Sequence, residues 1–269
     1  QFGQQAIIAH IDIDLAEIGK VVQTTIPIVA DAKAALTQLL RYPAEELDCK
    51  EWLNRCQKRK KEHPYRYDRE ETKEIKPQKL IEEVGRLTKG EAIVVTDVGQ
   101  HQMWVAQYYP FHFPKQLITS GGLGTMGYGI PAGIGAKFAH PEKMIVVFVG
   151  DGGFQMTNQE FALLNDYGLD VKFILMNNRS LGMVRQWQET FHNERRSASV
   201  FTKQPNFGQL AEAYGISSVR IETPDQLTNH LASALLEPGA RLIEVLISPT
   251  EHVLPMIPPG KANHEMIGV

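Results

Sequence analysis

Short apolar runs alternate with amphipathic stretches along most of this chain. Six runs with strand character, each bounded by turn-forming residues, occur at 92–97, 116–119, 144–149, 171–176, 217–221 and 241–247. Stretches with helical spacing lie between them, at 102–108, 126–140, 158–167, 181–189, 207–214 and 224–236. Strands and helices that alternate in this way predict an α/β fold with a doubly wound, six-stranded parallel sheet and helices on both faces.

The first part of the chain has a different pattern. Residues 1–41 contain two short apolar runs and a helix that opens at Asp31, which is placed as an N-cap. These elements are too few to bury a core of their own. Residues 42–76 are strongly charged and are interpreted as a solvated linker with a surface helix, with binding of an acidic partner as the alternative. Because Pro77 opens an amphipathic helix, we expect the main domain to span 77–269.

Composition and charge narrow the class of protein. The chain has 269 residues, 43% of them hydrophobic, and a formal net charge of −3, which gives no reason to expect a nucleic-acid or membrane partner. Cys49 and Cys56 lie in a charged helical stretch and are interpreted as reduced thiols, which favours a location in the cytoplasm, with a plastid as the alternative.

The chain starts almost at once with a strand and lacks an initiator Met, so we expect a fragment or one chain of a split enzyme.

The most informative motif follows two neighbouring predicted strands. Asp151 lies within Gly-Asp-Gly after one apolar run, and Asn178 ends the next run after 24 intervening residues, 153–176. In a parallel sheet these two carboxyl ends lie side by side, so the oxygens of Asp151 and Asn178 can converge. Such ligands suit Mg²⁺, and flanking glycines admit a phosphate close to the backbone. The alternative is two ordinary turns, with Asn178 capping the following helix.

Two further loops have the character of a phosphate site. Residues 97–101 follow a predicted strand and enter a helix, so their backbone N–H groups can meet a diphosphate. Taken alone, His101 in this loop is a helix-capping histidine. The glycine-rich loop 120–127 precedes a helix of small residues, and close helix packing explains it equally well.

Several segments together resemble a known family. The GDG and NN elements are typical of thiamine diphosphate enzymes, whereas GQHQMW, LGMVRQW and EHVLPMIP resemble the catalytic subunit of acetohydroxyacid synthase, also called acetolactate synthase. The similarity covers nearly the whole chain and corresponds to the carboxyl-terminal part of that subunit. It implies the thiamine diphosphate-binding fold, preceded by the end of a Rossmann-like, FAD-binding middle domain.

The resemblance also assigns a role to each matched position. It implies side-chain Mg²⁺ ligands at Asp151 and Asn178 and a backbone ligand at Ser180. The positions that it places around the diphosphate are Val98, Gly99, Gln100, His101, Gly152 and Gly153. Gly124 and Met126 match the positions that contact the aminopyrimidine and keep the cofactor bent. The resemblance therefore implies that these two residues have the catalytic role of setting the conformation of the cofactor.

Two more groups of positions follow from the resemblance. Met183, Val184 and Trp187 match the substrate channel, and Trp187 matches the residue linked to preference for 2-ketobutyrate; without the resemblance it would be read as core packing. The positions that match contacts of the FAD adenosine are Asp12, Ile13, Asp31 and Ala32. Most of the flavin pocket lies outside the residues of this chain.

The activity implied by the resemblance is the condensation of two pyruvate molecules, or of pyruvate and 2-ketobutyrate, with release of CO₂. The products, 2-acetolactate and 2-aceto-2-hydroxybutyrate, lead to valine and isoleucine. Because the family's activating glutamate has no counterpart in these residues, we expect little turnover by the chain alone. The resemblance also implies assembly as a homodimer or homotetramer, or with the missing amino-terminal part, and a regulatory subunit as a further partner. Another thiamine diphosphate-dependent decarboxylase or carboligase, or a non-catalytic assembly domain, remains an alternative.

Overall fold

The computed structural model describes residues 3, 5–43, 48–70 and 73–268. It divides the chain into two compact units. The terminal unit comprises Gln1–Pro64 and Pro255–Val269, and the sheet unit comprises Tyr65–Leu254. The domain boundaries expected from the sequence remain a prediction.

The terminal unit contains a two-stranded parallel sheet and two helices. The elements are β1 (Ala9–Asp12), β2 (Ile26–Val29), α1 (Ala32–Leu39) and α2 (Lys50–Glu62). The Asp31 carboxylate accepts a hydrogen bond from the Ala34 N–H at 2.9 Å, so the predicted N-cap is confirmed. No residue of α2 is buried, which confirms the predicted surface helix.

The sheet unit is built on six parallel strands. They are β3 (Ile93–Thr96), β4 (Leu117–Thr119), β5 (Ile145–Gly150), β6 (Val171–Asn177), β7 (Ser217–Ile221) and β8 (Arg241–Leu246). Their order across the sheet is β4-β3-β5-β6-β8-β7, and each neighbouring pair is parallel. The predicted doubly wound sheet is therefore confirmed.

Helices cover both faces of this sheet. They are α3 (Pro77–Leu87), α4 (Gln100–Tyr108), α5 (Gly129–Ala139), α6 (Asp151–Thr157), α7 (Phe161–Asp166), α8 (Gly182–Phe191), α9 (Phe207–Ala213) and α10 (Pro224–Leu236). Successive residues of β5 point to opposite faces. Phe148 thus joins the core beneath α3, α4 and α10, whereas Val147 joins the core beneath α5, α7 and α9.

The prediction that a helix starts at 158 was wrong. Helix α6 begins at Asp151, directly after β5, and a 3-10 turn at Asn158–Glu160 links it to α7. Glycine is often found in turns, but here Gly152 and Gly153 allow close packing inside a helix. A Cβ on Gly153 would lie 2.3 Å from Asp97 Oδ1, and one on Gly152 would lie 2.6 Å from Leu181 Cδ2.

Two other boundaries also differ from the sequence prediction. The helix expected from 126 begins at Gly129, because residues 127 and 129 are held by hydrogen bonds to a neighbouring loop. The first strand of the chain, β1, begins at Ala9, although the sequence predicts a strand from Ala6 to Ile13. Among the helices of the described ranges, none combines the length and the apolar character that crossing a membrane requires.

Candidate cofactor and metal site

A cleft opens at the carboxyl edge of the sheet, where β3, β5 and β6 end. The first residues of α4, α6 and α8 line it, so three helix N-termini meet there. The predicted site residues that line this cleft are Val98, Gly99, Gln100, His101, Met126, Asp151, Gly152, Gly153, Asn178, Ser180, Met183 and Val184. Residues from four separate loops are thus brought together, as the positions of the strand ends require.

Asp151 lies in the first turn of α6 and is 1% exposed. Its Oδ1 accepts a hydrogen bond from the Gly152 N–H at 3.0 Å, and its Oδ2 accepts one from Gln204 Nε2 at 2.6 Å. Burial raises the pKa of Asp151 to about 7, although the hydrogen bonds from Gln204, Gly152 and Ser180 partly oppose that rise. A buried carboxylate of this kind gains from any cation that binds beside it.

Asn178 and Ser180 form a tight turn after β6. Asn178 Oδ1 accepts hydrogen bonds from the backbone N–H and the hydroxyl of Ser180, both at 3.1 Å. Its Nδ2 donates to Gln100 Oε1 at 3.3 Å, which fixes the orientation of the amide. Both lone pairs of this oxygen are engaged, so binding of a cation there requires the Ser180 hydroxyl to rotate away.

His101 is buried in the first turn of α4, where it forms part of the cleft lining. Burial lowers its pKa to about 4, and the nearby Asp97 only partly offsets this effect, so the imidazole is neutral at pH 7. A Cβ on Gly99 or Gly150 would lie 3.2 or 3.1 Å from His101 Cε1, so both glycines make room for the ring. Within the described ranges, the buried Nε2 atom has no hydrogen-bond partner. An unpartnered polar atom inside a protein is unusual and marks this ring as a point of interest beside the cleft.

Asp97 organises the loop around the cleft, although sequence reasoning did not single it out. Its buried carboxylate accepts hydrogen bonds from the N–H groups of Val98 at 2.8 Å, Gly127 at 3.1 Å and Gly129 at 2.8 Å. It thereby ties the end of β3 to the start of α5. A polar residue at the end of a buried strand, followed 30 residues later by spaced glycines, is the signal that was available.

Gln100, a predicted diphosphate position, forms a second support together with Gln186, which sequence reasoning missed. Gln100 Nε2 donates to Gln186 Oε1 at 2.8 Å and to the Glu251 carbonyl at 3.0 Å. Gln186 Nε2 donates to the Val253 carbonyl at 3.0 Å, and Gln186 Oε1 accepts from the Val253 N–H at 2.9 Å. These amides therefore connect α4, α8 and the segment after β8. The partners are distant in the chain, and no local pattern reveals them.

Two predicted positions lie outside the cleft lining. Gly124 has a positive φ of 66° in an exposed loop, and a Cβ on it would lie 3.9 Å from Val98 Cγ1. Trp187 is 39% exposed and packs against Phe191, with ring centroids 5.5 Å apart. Trp187 is therefore a partly exposed residue and not part of the core.

The four positions matched to FAD lie in the terminal unit. Asp12 ends β1, and Asp31 follows β2 as the cap of α1. Because the two strands are parallel, both residues lie at the same edge of this small sheet. Ile13 follows Asp12 and is 74% exposed, and Ala32 is the first residue of α1. Their role in binding FAD stays a prediction.

The candidate metal site is poor in charged ligands. In the part of the chain that the structure describes, no group of three or more His, Cys, Asp or Glu residues could hold a metal ion. The cleft offers one carboxylate, Asp151, together with amide and backbone oxygens. This set fits Mg²⁺, which usually takes one or two protein carboxylates and completes its octahedron with water and substrate phosphates.

Comparison with known proteins identifies the family. A family model described as "Thiamine pyrophosphate enzyme, C-terminal TPP binding domain" matches residues 97–245. The chain belongs to this family. The predicted cofactor, thiamine diphosphate (thiamine pyrophosphate), is the one that the family's description names. The matched range begins at Asp97 and includes both Asp151 and Asn178.

Relatives extend the similarity to nearly the whole chain. It is 58% identical over 266 residues to the acetolactate synthase large subunit of Lactococcus lactis subsp. lactis, covering 99% of this chain and 46% of that protein. It is 43% identical over 270 residues to the acetolactate synthase isozyme 3 large subunit of Escherichia coli, covering 97% and 47%. The chain thus spans about half the length of the curated relatives it matches. The resemblance to the carboxyl-terminal part of this catalytic subunit is confirmed.

Proposed function

We propose that this chain is the thiamine diphosphate-binding part of an acetolactate synthase. The observation that carries the proposal is the meeting of Asp151, Asn178 and Ser180 with the loop at 98–101 in one cleft. The same positions belong to a chain that is 58% identical to an acetolactate synthase large subunit. The proposed reaction joins two pyruvate molecules, or pyruvate and 2-ketobutyrate, and releases CO₂.

In this proposal, two sets of groups in the cleft bind the cofactor: the ligands of the metal ion and the hydrogen-bond donors to the diphosphate. Asp151, Asn178 and the Ser180 carbonyl would hold Mg²⁺, an ion that usually also takes water and phosphate oxygens. The backbone N–H groups at the starts of α4 and α8 would bind the diphosphate, since helix N-termini favour anions. His101 contributes a neutral imidazole with a free Nε2, which is suited to a hydrogen bond and not to an ion pair.

The remaining residues of the proposal shape the space beside the cofactor. Bound thiamine diphosphate supplies the electron sink that decarboxylation of a 2-keto acid requires. Met126 lies close to Gly152, since a Cβ there would be 3.5 Å from Met126 Cε, and its thioether offers a soft apolar surface. Met183 and Val184 line the same cleft and give it an apolar wall.

Isothermal titration tests the binding proposal. We expect the chain to bind thiamine diphosphate in the presence of Mg²⁺, and Asp151→Asn to weaken that binding at least about 10-fold because a ligand charge is lost. Asp166→Asn, an exposed substitution in α7, is the matched control and should bind as the parent does. Equal binding by the parent and Asp151→Asn would contradict the proposal.

An acetolactate assay measures activity separately from binding. We expect these 269 residues alone to convert little pyruvate, because the family's activating glutamate is not among them.

A second candidate function is another thiamine diphosphate-dependent 2-keto acid decarboxylase or carboligase. The position of Trp187 favours it, because Trp187 packs against Phe191 outside the cleft lining. Acetolactate synthase activity predicts that Trp187→Leu in the complete enzyme changes the ratio of 2-aceto-2-hydroxybutyrate to 2-acetolactate. An unchanged ratio would favour the second candidate.

The proposal extends to partners and setting. The relatives are named large subunits, so we propose that a smaller, regulatory subunit binds the complete protein. We further propose a homodimer or homotetramer, located in the cytoplasm, with FAD at the edge of the small sheet that carries Asp12 and Asp31. Light scattering of the complete protein with and without FAD measures its assembly, and a monomer under both conditions would contradict that part of the proposal.

A further inference from the structure

A loop returns from the end of α8 to the cleft and carries Gln204 with it. The Leu181 N–H donates to the Ser199 carbonyl at 2.8 Å, and the Phe201 N–H donates to the Arg179 carbonyl at 2.9 Å. Residues 199–201 therefore run antiparallel to 179–181, with Ser180 bridged to Val200. This pairing brings Gln204 against Asp151, although the two are 53 positions apart in the chain.

Four polar side chains then form a continuous chain of hydrogen bonds. Gln204 Nε2 donates to Asp151 Oδ2 at 2.6 Å, and Gln204 Oε1 accepts from Asn177 Nδ2 at 3.1 Å. Asn177 Nδ2 also donates to Glu244 Oε1 at 2.8 Å. Asp151, Asn177 and Glu244 are each no more than 3% exposed, whereas Gln204 is partly buried and lines a second cavity together with Asn177 and Glu244.

The chain fixes which way each amide points. Glu244 presents acceptor oxygens to Asn177, so Asn177 must turn its NH₂ group toward Glu244, while its Oδ1 accepts from the Arg179 N–H at 3.0 Å. That NH₂ group then requires an acceptor from Gln204. If the Gln204 amide were flipped, its oxygen would face the Asp151 carboxylate and its NH₂ would face another NH₂, and both contacts are repulsive.

We propose that Gln204 is a positioning residue for the metal ligand Asp151, and that Asn177 and Glu244 set its orientation. The inference rests on the proposed function, since it concerns the same Mg²⁺ site. A donor held in one orientation restricts the Asp151 carboxylate to one rotamer. Groups that orient metal ligands in this way typically change metal affinity 10- to 100-fold when they are removed. The first Asn of the Asn-Asn pair thus supports the site, while the second belongs to it.

The test measures the affinity of the chain for Mn²⁺ at saturating thiamine diphosphate, with free Mn²⁺ detected by electron paramagnetic resonance. We expect Gln204→Met to raise the Mn²⁺ Kd about 10-fold and Asp151→Ala to raise it at least about 100-fold. Lys203→Met, an exposed substitution in the same loop, is the matched control and should leave the Kd unchanged. Gln204→Ala replaces Gln204→Met if circular dichroism shows that the latter is unfolded.

A double-mutant cycle separates positioning from a general loss of structure. Glu244→Gln keeps the size of the side chain and leaves the bond between Asn177 Oδ1 and the Arg179 N–H in place, but it no longer fixes the Asn177 NH₂ group. It should raise the Mn²⁺ Kd severalfold in the parent chain and should add nothing in the Gln204→Met background, because its effect passes through Gln204. An additive effect, or a Gln204→Met variant that binds Mn²⁺ as the parent does, would overturn the inference. If Asp151→Ala also binds Mn²⁺ as the parent does, the metal site itself is wrong and the proposed function fails with it.

Discussion

The two units of the chain differ most in what they bury. In the sheet unit, apolar side chains from β3, β5, β6 and β8 form continuous cores on both faces of one sheet. In the terminal unit, no described residue is buried, and even Trp52 is 61% exposed. The helices of the terminal unit still form where caps and composition predict them.

This difference distinguishes local signals that place a helix from the burial of apolar surface that stabilises a fold. Local signals, such as the Asp31 cap, are enough to place a helix, but they contribute only about 1 kcal/mol each. Burial of apolar surface contributes about 25 cal/mol per Å², and it is the sheet unit that has this contribution. The candidate site lies in the unit with the core, because buried polar groups such as Asp97 need rigid surroundings to hold their partners.

The largest expected effect comes from truncating the aromatic core. Phe161 is fully buried, and its ring centroid lies 4.7 Å from that of Phe173 and 5.3 Å from that of Phe154. We expect Phe161→Ala to lower the free energy of unfolding by about 3–5 kcal/mol in urea denaturation. Leu36→Ala, at a 54% exposed position in α1, should lower it by less than about 0.5 kcal/mol. Similar losses of unfolding free energy from the two substitutions would contradict the difference in burial between the two units.

A second large effect is a pH dependence that belongs to the sheet unit. Burial raises the pKa of Asp151 from its ordinary value of 3.8 to about 7. Between these values the unfolded chain has lost the proton and the folded chain keeps it, so this contribution to stability is full below pH 4 and declines as the pH rises toward 7. Three pKa units correspond to about 4 kcal/mol.

Urea denaturation in EDTA, at pH 4 and pH 8, measures this dependence. Asp151→Asn is the matched variant, because it keeps the shape of the side chain and cannot ionise. We expect the parent to lose up to about 4 kcal/mol relative to Asp151→Asn as the pH rises. A difference that stays constant with pH would show that the folded carboxyl is not protonated.

Two glycines of α5 test how tightly the sheet unit is packed. A Cβ on Gly133 would lie 2.4 Å from Val147 Cγ2, so Gly133→Ala should destabilise by about 1–3 kcal/mol. In the described part of the chain, no atom lies within 4 Å of a Cβ on Gly135. Gly135→Ala should therefore stabilise by about 0.5–1 kcal/mol, because alanine favours a helix. Thermal unfolding of both variants checks the opposite signs, and changes of the same sign would contradict this packing.

A small, local effect is expected in the terminal unit. Asp31→Ala removes the hydrogen bond to the Ala34 N–H and should weaken α1 by about 1 kcal/mol. Hydrogen exchange of the α1 amides should therefore accelerate about fivefold, while exchange in β5 stays unchanged. Asp31→Asn retains an accepting oxygen and serves as the control. Faster exchange in β5 would show that the two units do not unfold separately.

The sequence predicted the strands and helices better than it predicted the residues that hold the candidate site in place. Apolar runs revealed all six strands of the sheet, because strands buried on both faces leave continuous hydrophobic stretches. The strand ends then located Asp151 and Asn178. The start of α6 was mispredicted, because a glycine has the same appearance in a turn and in a tightly packed helix.

The supporting residues escaped prediction for a different reason. Asp97 acts through the N–H groups of Gly127 and Gly129, and Gln204 acts across 53 positions of the chain. Hydrogen bonds between distant segments have no periodicity and become visible only when the fold brings the segments together. The same limit applies to Trp187, whose exposure depends on how α8 packs.

A crystal structure of the chain with Mn²⁺ and thiamine diphosphate tests the central claim most directly, because anomalous scattering locates the metal. The account predicts a peak about 2.0–2.2 Å from an oxygen of Asp151 and from Asn178 Oδ1, with the Ser180 hydroxyl turned away. A peak elsewhere, or an Asn178 oxygen that keeps both of its hydrogen bonds to Ser180 with the metal and cofactor bound, would contradict it.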